Sequence, residues 1–63
     1  MTVIHATFQD GDAAREAQLK LMALRVLNVD GGADGASLTA TVGDELVDRA
    51  LHLIEQTGGT ANL

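Results

Sequence analysis

The sequence predicts an α+β domain of order βαββαβ, and three observations carry that expectation. Two amphipathic stripes at helical spacing lie between short runs that alternate in polarity or are rich in β-branched residues. Clusters of Gly and Asp punctuate the boundaries between them. All of this fits into 63 residues that contain a single aromatic side chain, Phe8, so the core must be built from small aliphatic groups in close contact. The length predicts one domain, residues 1–63, close to the lower size at which a single core offsets the loss of chain entropy.

Residues 2–8 read as the first strand, with Ile4, Ala6 and Phe8 on one side and Val3, His5 and Thr7 on the other. Gln9-Asp10-Gly11-Asp12 is a turn whose aspartates can accept hydrogen bonds from the free N–H groups of a following helix. That helix is expected near residues 12–23. Ala14, Ala17, Leu21 and Leu24 form its stripe, and Glu16 and Lys20 make an i,i+4 pair of favourable polarity. Residues 24–29 have β-branched content without a helical stripe and read as the second strand, with the inward set undecided. Asp30-Gly31-Gly32-Ala33-Asp34-Gly35 is the hairpin turn to the third strand, residues 36–42, where Leu38, Ala40 and Val42 alternate inward. Gly43-Asp44-Glu45 opens a second helix near 44–57, with Val47, Ala50, Leu51 and Ile54 as its stripe and Glu45 and Arg49 as another i,i+4 pair. Gly58-Gly59 supplies a left-handed stop, and residues 60–63 remain as a short last strand.

This order matches the split βαβ of the ferredoxin-like sandwich: a four-stranded antiparallel sheet, order 4-1-3-2, with two helices on one face. A three-stranded variant with a frayed fourth strand is the rival. Composition narrows the function. The absence of Cys excludes disulfides, thiolate metal sites and cysteine nucleophiles, and points to a cytoplasmic setting. Nine acidic against four basic residues give a formal charge of −5, which disfavours nucleic acid and anionic lipid. No run of apolar residues is long enough for a membrane span, and the N-terminus lacks the pattern of a signal peptide.

The spacing of Phe8, Ala14, Ala17 and Leu21, then residues 36–42, the acidic helix start Asp44-Glu45, Ala50, Ile54 and Gly58-Gly59, resembles the small domains of the general stress protein 17M type. The resemblance covers most of the chain and implies a bacterial stress response without a catalytic residue. Among other owners of the fold, copper carriers need a CxxC pair, which is absent. RNA-recognition motifs need stacking aromatics where this chain has Val3, His5, Thr7, Ser37, Thr39 and Thr41. ACT-type regulatory domains, which take a small ligand near the loop after the first strand, are the alternative.

No nucleophile–base–orienter set can be assembled from the sequence, so no catalytic residue and no cofactor is expected. His5 is expected on the outer sheet face, and His52 on the polar side of the second helix, where an ordinary surface ion pair with Asp48, one turn away, is expected. Asp10, Asp12, Asp30 and Asp34 fall at one end of the expected sheet and form a weak candidate cation cluster, although DGGADG lacks the EF-hand spacing and its closing glutamate. Glycines 31, 32, 35, 58 and 59 bring flexible turns to the same end. The leading expectation is a non-catalytic module that forms a homodimer or binds another protein, through Val3, His5, Thr7, Ser37, Thr39 and Thr41 on the uncovered face or through a sheet edge. A ligand-sensing domain comes second and a small dimeric enzyme third.

Overall fold

The computed structural model describes residues 1–63. The chain forms β1 (Thr2–Thr7), α1 (Gly11–Ala23), β2 (Asn28–Gly31), β3 (Ser37–Val42), a 3-10 turn (Asp44–Leu46), α2 (Val47–Gln56) and β4 (Thr60–Asn62). The sheet runs β2-β3-β1-β4 with every pair antiparallel, which is the 4-1-3-2 order read from its other edge. This is the ferredoxin-like arrangement. The fourth strand does form, pairing Thr60, Ala61 and Asn62 with Thr7, Ala6 and His5.

The register follows from which side chains must leave water. β1 pairs with β3 so that Ile4 lies opposite Ala40 and Ala6 opposite Leu38, and all four are buried. A slip of one residue would put threonines in the core instead. Against this face pack Ala14, Ala17 and Leu21 of α1 and Ala50 and Ile54 of α2, completing an eleven-residue core with Phe8 and Val42. The buried alanines let the helix backbones approach the sheet closely, while Val47 and Leu51 close the margin half-buried. No polar side chain is buried.

Both helices end in the same hydrogen-bonded device. At the end of α2, Gly58 has φ 87°, its N–H reaches Glu55 O, and the Gly59 N–H reaches Ile54 O at 2.9 Å. At the end of α1, Arg25 takes that role with φ 69°, its N–H on Met22 O and the Val26 N–H on Leu21 O. An arginine in the left-handed conformation is why residues 24–29 do not form the expected strand. The chain is still unwinding from the helix over 24–27, and β2 occupies Asn28–Gly31. Asp30 and Gly31, expected in the turn, therefore belong to the strand. The undecided register is settled with it: Val29 lies opposite the buried Ala40 and packs at the core, whereas Asn28 and Asp30 face outward.

The α1 start is as expected, with Asp10 Oδ1 accepting from the Ala13 N–H at 2.8 Å. The second helix departs from expectation. Asp44–Leu46 is a tighter 3-10 turn, so Glu45 does not stand one helical turn from Arg49 and the two form no ion pair. Asp44 accepts from the Met1 ammonium at 2.9 Å and from the Thr2 hydroxyl at 3.0 Å, contacts that hold its carboxyl below the usual range. Glu16 and Lys20 do pair, at 3.4 Å across an exposed helix face.

Candidate functional site: the open face of the sheet

With both helices on one side, the alternate side chains of every strand stand on a face that nothing covers. Pairing arranges them in three rows. Asp30, Thr39, His5 and Asn62 form the central row across all four strands. Asn28, Thr41 and Val3 form one flanking row, and Ser37, Thr7 and Thr60 the other. Each residue expected on this face from the sequence is there. Asn28, Asp30, Thr60 and Asn62 join them, and were missed because the bounds and register of the two edge strands depend on partners distant in sequence.

The chemistry of the face is hydroxyl and amide, with one imidazole, one carboxylate and one apolar group, Val3, which is 46 % exposed. His5 Nδ1 lies 3.3 Å from Thr39 Oγ1, and Asn28 Nδ2 donates to Asp30 Oδ2 at 2.9 Å. Asp30 stands beyond Thr39 in the row, so the carboxylate and the imidazole flank the hydroxyl. A serving triad needs the imidazole in the middle, oriented by the carboxylate. The arrangement suits a network of donors and acceptors presented to a flat surface. His52, one turn from Asp48, instead meets Gln56, with Nε2 to Nε2 at 3.1 Å, so the expected pair with Asp48 does not form.

The β1–α1 turn and the β2–β3 hairpin do meet at one end of the sheet. Phe8 N–H donates to Ala36 O at 2.8 Å, and a Cβ on Gly11 would lie 3.2 Å from Gly35 O. The four aspartates nevertheless do not converge, and no group of three His, Cys, Asp or Glu side chains is placed to hold a metal ion. Each has another position or partner. Asp10 caps α1, Asp12 is exposed in its first turn, and Asp30 lies out on the open face. Asp34 accepts from the Ala36 N–H at 3.0 Å and from Ser37 Oγ at 2.9 Å, and these bonds, the backbone one foremost, lower its pKa. Beside this turn a shallow hollow of about 370 Å³ is bordered by Gly11, Asp12, Arg15, Gln18 and Gly35.

The widest depression, about 690 Å³, is a trough between α1 and α2 that carries Lys20 and Arg49 alongside Asp48 and His52. It is open to solvent and mixed in charge. A smaller apolar hollow of about 290 Å³ runs beside β2, lined by Met22, Val26, Leu27, Asn28 and Val29. No helix is long and apolar enough to cross a membrane. Comparison with known proteins finds no matching family model, no matching curated protein and no matching solved structure.

Proposed function

We propose that the protein is a non-catalytic association module that joins a second copy of itself, or another protein, through the open face of its sheet or through one of its edges. The observation that carries this reading is the one-sided sheet: four strands with an apolar core of eleven residues on one face and no layer on the other. A core this small leaves little stability in reserve, and binding to the folded state adds to it by mass action. The resemblance to the general stress protein 17M type supplies the biological setting of the proposal, a bacterial stress response. The second reading, a ligand-sensing domain, is favoured by the hollow between the β1–α1 turn and the hairpin, where Arg15 and the backbone of Gly11 and Gly35 border a space of small-molecule size.

Sedimentation across a concentration series tests the first reading. A dimer forming in the micromolar range is the expected result. A single monomeric species up to high micromolar concentration overturns self-association.

A further inference from the structure

β2 is an edge strand bonded only to β3. At the hairpin end of the pair, the Gly32 N–H donates to Ser37 O at 2.8 Å. Because an antiparallel ladder bonds across at every second residue, Asn28 and Asp30 also turn their backbone groups to β3. Val29 and Gly31 then direct N–H and C=O out of the sheet. Native edges are commonly shielded by lysine, other charged side chains, proline or a short strand. β2 is short and carries Asp30 on the open face, but it has no lysine or proline, and the wall beside it is apolar: Met22 and Leu27 are 60 % and 64 % exposed next to the half-buried Val29.

We propose that this edge pairs with β2 of a second copy across a two-fold axis at Val29, joining the two sheets into one of eight strands. The inference rests on the self-association reading above and names the surface responsible. Its occupant is argued from the register. With Val29 and Gly31 as the outward-bonding residues, a two-fold pairing can be centred on Val29, Asp30 or Gly31. Centring on Asp30 sets two carboxylates directly opposite each other, which opposes pairing. Centring on Gly31 leaves Val29 and Leu27 beyond the end of the strand pair. Centring on Val29 sets Asn28 opposite Asp30 of the partner subunit, an amide donor against a carboxylate, and does so twice. It also sets Leu27, whose own N–H already donates to Thr41 O at 2.9 Å, beside Gly31 of the partner subunit, so that only the Gly31 N–H bonds across at this position, and the missing side chain leaves room: a Cβ there has only Gln18 Oε1 nearby, at 3.9 Å. Val29 meets its own copy on the helix side, flanked by Met22. Each molecule carries a formal charge of −5, so long-range repulsion opposes the encounter and added salt tightens the dimer.

Amide hydrogen exchange on the wild-type protein is the direct test, read at concentrations below and above the sedimentation midpoint. The Val29 and Gly31 amides are expected to become protected as the dimer forms, while outward-facing amides elsewhere on the sheet rim stay unchanged. Leu27→Lys should weaken the dimer roughly tenfold by placing a charge on the apolar wall. Asn28→Asp should weaken it by setting like charges opposite each other in the Val29-centred register. Thr39→Lys, on the open face, should leave it intact. If the dimer forms but Val29 and Gly31 exchange freely, or if Thr39→Lys dissociates it and Leu27→Lys does not, the edge pairing is overturned while self-association stands. A wild-type monomer at high micromolar concentration overturns both. Should Leu27→Lys fail to fold, the wild-type exchange pattern decides alone.

Discussion

Arg25 and Gly58 occupy the same conformation at the ends of the two helices, but only one of them is suited to it. A side chain in the left-handed region crowds its own backbone, a cost of about 1–2 kcal/mol that glycine escapes. Glycine gives part of this back through the larger freedom of its unfolded chain. Arg25→Gly should therefore stabilise the protein by about 0.5–1 kcal/mol, and Gly58→Ala should destabilise it by about 1 kcal/mol. Urea midpoints moving in opposite directions check the pair. Asp34 offers a second residue-scale prediction. Its carboxylate is held by the Ala36 N–H and the Ser37 hydroxyl, which lower its pKa in the folded protein. A lowered folded pKa adds stability at pH values above the unfolded value of 3.8, and that stability is lost as pH falls through the folded value. Carboxyl-carbon titration should place the Asp34 midpoint below 3.8, with Ser37→Ala moving it part of the way back. A midpoint at or above 3.8 would show that the turn does not hold the carboxylate.

At the scale of elements, α2 is the most sharply two-sided segment of the chain. Its buried stripe is narrow: Ala50 and Ile54 are fully buried, and Val47, Leu51 and Leu53 border them. Ile54 is among the largest fully buried side chains, so Ile54→Ala removes a substantial part of the contact between helix and sheet. A loss of about 2–5 kcal/mol is expected, large enough to leave a domain this size partly unfolded at room temperature. Equal urea midpoints for the wild type and the variant would remove Ile54 from the core. The α2–β4 connection is tight for a related reason. A Cβ on Gly59 would collide with the Phe8 ring, so the only aromatic side chain is seated on a glycine that brings β4 back alongside β1.

For the whole molecule, the imbalance is between a fully covered face and a bare one. All eleven core residues lie between helices and sheet, while the opposite face carries hydroxyls, amides, His5, Asp30 and Val3. If the molecule associates in its folded form alone, its thermal midpoint should rise with protein concentration, because dissociation accompanies unfolding. Calorimetric scans over a hundredfold range of concentration measure this. A midpoint independent of concentration would argue for a monomer whose small core suffices unaided.

Element order, the inward face of the first and third strands and the stripes of both helices were legible in the residues alone. Those features are periodic and local: alternation over residues 2–8 and 36–42, and helical spacing over Ala14, Ala17 and Leu21 and over Val47, Ala50 and Ile54, each report which side chains must leave water. The open-face residues on β1 and β3 were legible as the complement of that pattern. Tertiary packing set the second strand, because a helix stop made by Arg25 carries no glycine to mark it and four residues are too few to show a period. It alone brought Asp30 and Asn62 into one row with His5 and Thr39, since strands far apart in sequence meet only through pairing. It also dispersed the four aspartates that a shared loop end had suggested as a cluster. Proximity of loops follows from topology, but the direction of a carboxylate follows from the nearest N–H or hydroxyl it can satisfy, and for Asp10 and Asp34 that group lies in their own turns.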